Sequence, residues 1–152
     1  MKKKILKVAL VGRTNAGKST LINRIVGEKV SIQNKKINTT QVTILGVKNI
    51  KKTQLIFYDT PGSNFLKSLN KQSKNLKTNL WNDIDESDII VYLIDSKTAN
   101  LKFLYDQLKK LQEVNKKIIV VFNKIDLILN KKILPLISKI NKSFEIDSFL
   151  TI

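Results

Sequence analysis

The chain has 152 residues, enough to enclose one apolar core, and 42% of them are hydrophobic, which excludes a disordered chain. It has neither cysteine nor histidine, so a disulfide framework, a thiol nucleophile, a Cys-based metal site and the commonest transition-metal ligand are all excluded. The formal net charge is +16, yet all but two of the 28 basic residues are lysines, Arg13 and Arg24 being the exceptions; a general Lys, Ile and Asn bias accounts for the charge as well as a polyanionic partner does. Basic segments such as Lys48 to Lys52 also lack the interleaved aromatics of a base-stacking surface.

In chain order, Ile5 to Val11 reads as a buried strand. Lys7 breaks the apolar run that would otherwise resemble a signal peptide. Lys18 to Val26 has helical period, with Leu21, Ile22, Ile25 and Val26 on one face and Gly27 as the stop. Val42 to Ile50 and Gln54 to Tyr58 read as strands. Lys51 to Thr53 leaves room only for a hairpin between them, because a parallel crossover needs a dozen or more residues; this pair is expected to be antiparallel. Leu66, Leu69, Leu76 and Leu80 suggest a helix, and Asp88 to Ile94 a strand. Leu101 to Glu113 carries Leu101, Leu104, Leu108 and Leu111 at spacings of three and four, the stripe of a helix packed on a sheet. After the strand Lys117 to Phe122, a further helix is expected to begin near Pro135, since proline suits a first turn and not a helix interior. Asp147 to Ile152 reads as the last strand. Alternation of strands and helices predicts one α/β domain with six strands, and no apolar stretch reaches the 18 residues of a membrane helix.

Three short segments carry chemistry. Gly12-Arg13-Thr14-Asn15-Ala16-Gly17-Lys18-Ser19 matches the Walker A pattern and lies between a predicted strand and a predicted helix, the context the motif requires. Its glycines permit turns and close backbone approach, so that successive N–H groups and a helix N-terminus surround phosphate oxygens. Lys18 then neutralises the β and γ oxygens, and Ser19 presents a hydroxyl to Mg²⁺. Thr20 completes the phosphate-binding stretch. Asp59-Thr60-Pro61-Gly62 closes the third strand, placing a carboxylate to hold a water of the Mg²⁺ shell and a flexible glycine beside the γ-phosphate. Asn123-Lys124-Ile125-Asp126 follows the strand Lys117 to Phe122 at the carboxyl edge, where open α/β sheets bind ligands. The Asp126 carboxylate can accept from the N1 and N2 groups of guanine, a pair of donors adenine lacks, and a buried unpaired acceptor is costly. Asn123 is placed to tie this loop to the Walker A loop, and the Lys124 stem to lie over the purine.

In this order and spacing, the three segments resemble the G1, G3 and G4 boxes of translation-factor-type GTPases. The stretch GRTNAGKSTLINRIVGEKVSI followed by NKKINTTQ resembles the Era family over nearly the whole chain. The resemblance implies a Ras-like P-loop NTPase fold in three layers, with a mostly parallel six-stranded sheet and one antiparallel strand, and makes residues 1–152 a G domain incomplete at its C-terminus. It implies GTP and GDP as ligands, Mg²⁺ held by Ser19, Thr40 (with Thr39 as the alternative) and, through water, Asp59, and slow hydrolysis in which Lys18, Thr40 and the Gly62 N–H act and Asn15 helps hold a K⁺ ion. Arg13, Thr14, Ala16, Thr60 and Pro61 join the phosphate-binding set. Era-like sequences usually carry Pro where Thr14 stands, Arg where Gln41 stands and an apolar residue where Ser63 stands. The G5 box, the final helix and the RNA-binding KH domain of the family are not within the 152 residues. For the full-length protein the family implies small-subunit ribosomal RNA and the ribosomal subunit as partners, and a cytoplasmic location with some peripheral association at the inner membrane. Alternatives are a tandem-GTPase ribosome factor or tRNA-modification GTPase, a guanine-nucleotide binder that does not hydrolyse, and a basic RNA-binding module.

Overall fold

The computed structural model describes residues 4–27, 43–59, 81, 84–128 and 130–152. The expected helix from Leu66 to Leu80, and with it Thr39, Thr40, Thr60, Pro61 and Gly62, lie outside the described residues. The elements follow the alternation anticipated above: β1 (Lys4–Gly12), α1 (Lys18–Val26), β2 (Thr43–Ile50), β3 (Thr53–Asp59), β4 (Ile89–Asp95), α2 (Leu101–Gln112), β5 (Lys117–Asn123), α3 (Asn130–Ser143) and β6 (Ser148–Thr151).

The strands form a six-stranded sheet in the order β2-β3-β1-β4-β5-β6. Every pairing is parallel except β2 with β3, the hairpin turned by Lys51 and Lys52, where Lys51 takes φ 50°. A register shift between Ile44 and Gly46 bends β2.

Alternation along each strand sorts the core onto two faces. Ala9, Val11, Ile90, Tyr92, Ile94, Ile118, Val120 and Phe122 bury one face against Leu104, Leu108 and Leu111 of α2 and Ile133 and Ile140 of α3. Val8, Leu10 and Phe57 meet Ile22 of α1 on the other face, where Leu93 and Val121 pack on Ala16. The result is three layers, helix on sheet on helix. α2 and α3 are joined by Tyr105, whose ring meets Phe144 edge-on at 5.0 Å and whose hydroxyl donates to the Lys139 carbonyl at 2.9 Å.

One expectation is corrected. α3 begins at Asn130 rather than near Pro135, which is the sixth of its 14 residues. Proline there removes the bond to the carbonyl four residues back. The stripe Ile133, Leu136, Ile137 and Ile140, which packs into the core across the proline, outweighs that loss.

Candidate functional site

All the parallel strands that flank β1 end on the same rim. The connection after β1 leads to the β2–β3 side of the sheet, and the one after β3 leads across to β4 on the other side, so a crevice opens at the carboxyl end of β1, the place where doubly wound sheets bind ligands. Gly12 ends β1, the backbone of Asp59 ends β3, Asp95 ends β4 and Asn123 ends β5.

The Walker A loop fills the gap between β1 and α1. Gly12 sits opposite Leu93 in the ladder, and a Cβ added there would lie 2.5 Å from the Leu93 carbonyl oxygen, so only glycine lets the two strands approach this closely. Asn15 and Gly17 take left-handed φ values of 64° and 100°, turning the backbone around, and Ala16 N–H donates to the Arg13 carbonyl at 3.1 Å. Gly17 is the N-cap of α1 and supplies no side-chain acceptor; the first turn holds no acidic residue. Its N–H groups and the positive end of the helix therefore present a partial charge suited to an anion. The Lys18 ammonium folds back over the loop, donating to the carbonyls of Gly12 at 3.1 Å and Arg13 at 3.2 Å. Ser19 and Thr20, in the first turn of α1, are exposed, as are Arg13 and Thr14.

The loop after β5 is stitched to the Walker A loop at two consecutive points. Asn123 Nδ2 donates to the Ala16 carbonyl at 2.9 Å and Lys124 Nζ to the Asn15 carbonyl at 2.8 Å. Gly17 makes room for the first stitch, since a Cβ there would fall 2.3 Å from Asn123 Nδ2. Lys124 itself is left-handed at φ 61°, a conformation held by its own N–H donating to Asn123 Oδ1 at 2.8 Å. Asp126 lies in the 3₁₀ turn Ile125–Leu127, exposed and without a hydrogen-bond partner among the described residues. Ile125 N–H donates to the Ile152 carbonyl at 3.4 Å, bringing the end of β6 against this loop.

Two participants were not anticipated. Asp95 accepts from Lys124 Nζ at 2.7 Å through one carboxylate oxygen and from Lys97 N–H at 3.0 Å through the other. Desolvation by burial raises its pKa, but the Lys124 hydrogen bond, the Lys97 and Thr98 backbone N–H groups and the Lys124 charge outweigh it and hold the carboxyl below its ordinary 3.8. The only sequence signal was an acidic residue ending the apolar run of β4. Phe103 is the second: the Arg13 guanidinium lies 5.3 Å from its ring centroid, a cation–π contact between the Walker A loop and α2. Asn100 fixes the start of α2 by accepting from Phe103 N–H at 3.0 Å. Beneath them burial pushes the Tyr92 phenol well above its ordinary 10, against a smaller downward pull from Arg13, so it stays neutral.

No cluster of three acidic residues able to hold a metal occurs among the described residues. The donor set fits Mg²⁺ in the way nucleotide sites bind it, with one or two protein oxygens and the remainder from phosphate and water, and the exposed Ser19 hydroxyl beside the anion-binding turn is such an oxygen.

Strand order, crevice and loops together define the P-loop class of α/β nucleotide-binding proteins. The family model described as 50S ribosome-binding GTPase matches residues 7–124; the chain belongs to that family, and within it is a G domain of the Era type. GTPase Era of Aquifex aeolicus is 40% identical over 143 residues, covering 91% of this chain and 47% of that protein. A crystal structure of an Aquifex aeolicus Era variant bound to GDP·AlF₄⁻ superposes with a TM-score of 0.77 at 35% identity, over 98% of this chain and 51% of that one. Era in complex with MgGDPNP and nucleotides 1506–1542 of 16S ribosomal RNA also gives 0.77, at 37% identity over 99% of this chain and 51% of that one. The chain thus spans about half the length of the relatives it matches.

Proposed function

We propose that this domain binds GTP with Mg²⁺ and hydrolyses it to GDP and phosphate, serving as the switch of an Era-like protein in small ribosomal subunit assembly and 16S ribosomal RNA maturation. The observation that carries the reading is the double stitch of Asn123 and Lys124 to the carbonyls of Ala16 and Asn15, which couples a base-reading loop to a phosphate-binding one. Relatives held with GDP·AlF₄⁻ and MgGDPNP support the ligand and the metal, and one held with 16S ribosomal RNA supports the partner.

In this reading the N–H groups of residues 13–20 cradle the phosphates. Lys18 leaves the Gly12 and Arg13 carbonyls to neutralise the β and γ oxygens, and Asp126 accepts from guanine while the Lys124 stem covers the ring. Ser19, Thr40 and a water on Asp59 would hold Mg²⁺, which would supply neutralisation of the phosphate charge. Thr40 and the N–H of Gly62, flanked by Thr60 and Pro61, order the γ-phosphate and the water that attacks in line. Among the described residues no side chain is placed as a general base, so positioning and electrostatics do most of the work, and Asn15 would help hold a K⁺ ion, which would supply further positive charge at the phosphates. The rate is accordingly slow. The protein works in the cytoplasm, with peripheral contact at the inner membrane.

Calorimetric titration of the 152-residue chain with GDP and ADP in Mg²⁺, followed by single-turnover GTP hydrolysis in K⁺ and in Na⁺, tests this. Selective GDP uptake and cleavage faster in K⁺ are expected. Equal uptake of the two nucleotides defeats the guanine assignment; GDP uptake with no cleavage in either salt defeats the hydrolytic one and leaves a nucleotide binder.

A further inference from the structure

Lys124 is the residue on which the two loops converge, and its ammonium is not held by the Walker A loop alone. It lies between the Asn15 carbonyl and the carboxylate of Asp95, at 2.8 and 2.7 Å, with its side chain 33% and that of Asp95 14% exposed. Asp95 is rigidly placed: it ends β4 directly opposite Asn123 in the β4–β5 ladder, and its second oxygen caps the 3₁₀ turn Ser96–Thr98 through Lys97 N–H. The lysine stem is thus stretched between a strand end and a loop carbonyl, on a backbone already confined to φ 61°.

We propose that Asp95 is a positioning residue for guanine-nucleotide binding, holding the Lys124 stem taut as the surface on which the purine rests. The inference rests on the functional reading above and deepens it. A long alkylammonium has many rotamers, and freezing one before the ligand arrives removes that entropy from the binding step. It also has a competing attraction: a bound triphosphate pulls any neighbouring ammonium toward itself, and a carboxylate on the far side resists that pull. Because Asp95 offers one oxygen to the Lys124 ammonium and the other to the Lys97 N–H, with the Thr98 N–H also directed at the carboxylate, asparagine cannot replace it. With one acceptor and one amide, asparagine must present N–H either to the Lys97 N–H or to the Lys124 ammonium.

Asp95→Asn, Lys124→Met and the double variant, each checked for folding by circular dichroism, are titrated with GDP and with inorganic tripolyphosphate, which has the phosphates and no base. Asp95→Ser, which still caps the turn, serves if the Asn variant does not fold. The expected result is about a tenfold loss of GDP affinity in Asp95→Asn, less than about twofold change for tripolyphosphate, and less than about twofold further loss when Asp95→Asn is added to Lys124→Met. An equal loss for both ligands, or the same tenfold loss in the Lys124→Met background, overturns the proposal, because Asp95 would then act by general destabilisation or independently of the lysine. GDP binding by Asp95→Asn equal to that of the unaltered chain overturns it too. Failure of the unaltered chain to bind GDP is a different outcome, which removes the guanine reading and the inference with it.

Discussion

Gly17 meets two demands that no other residue satisfies together. Its φ of 100° is strained for any L side chain, and the space a Cβ would take is occupied by Asn123 Nδ2 at 2.3 Å. Gly27, at φ 82°, shares the first demand but not the second, its nearest neighbour being Lys48 Nζ at 3.9 Å. Gly17→Ala is therefore expected to lower stability by roughly 1–3 kcal/mol and GDP affinity at least about tenfold, because the stitch to Ala16 must open, whereas Gly27→Ala costs stability alone. Urea unfolding and GDP titration of both variants check this, and equal GDP affinity in the two would contradict it. A second expectation concerns Asp95. Its folded pKa lies below its ordinary 3.8, so the carboxylate stabilises the fold fully at higher pH and loses that contribution as pH falls through the folded value. The stability difference between the unaltered chain and Asp95→Asn should be flat from about pH 8 to pH 5 and shrink below about pH 4, as urea unfolding across that range will show. A difference that grew toward acid would reverse the sign and refute the pairing.

Among elements, those legible in the sequence were the ones whose signal is local. Apolar runs of strand length marked all six strands within a residue or two, four of them closed by a glycine, aspartate or asparagine. The three-residue gap from Lys51 to Thr53 forced β2 and β3 to be antiparallel. α3 was not legible at its start, because its amphipathic stripe runs through a residue that argues for a boundary. Pro135 persists there at a cost, lacking the N–H that would meet the Lys131 carbonyl. Pro135→Ala should restore the bond and raise stability by roughly 1–2 kcal/mol, after deducting the entropy proline removes from the unfolded chain. Chemical denaturation checks the sign, and a destabilised variant would show that the proline ring packs better than the restored bond repays. The candidate site divides in the same way. Walker A and the Asn123–Asp126 loop announce themselves by spacing, whereas the Asp95–Lys124 pair joins residues 29 apart in the chain, and the Arg13–Phe103 contact depends on where α2 is capped. No local pattern encodes a partner that only the sheet brings close.

At the scale of the whole molecule, the sheet order sets a schedule. β1 is made first but ends in the middle, between β3 and β4, and the backbone of Lys7 is bonded to Asp88, 81 residues later. On a ribosome adding about 5–20 residues per second, the first strand waits roughly 4–16 s for that neighbour to be synthesised. During the interval Val8, Ala9, Leu10 and Val11, all buried in the finished domain, have no completed sheet to cover them. The Walker A loop, made before the strands that flank it, is therefore among the last parts of the site to take its shape.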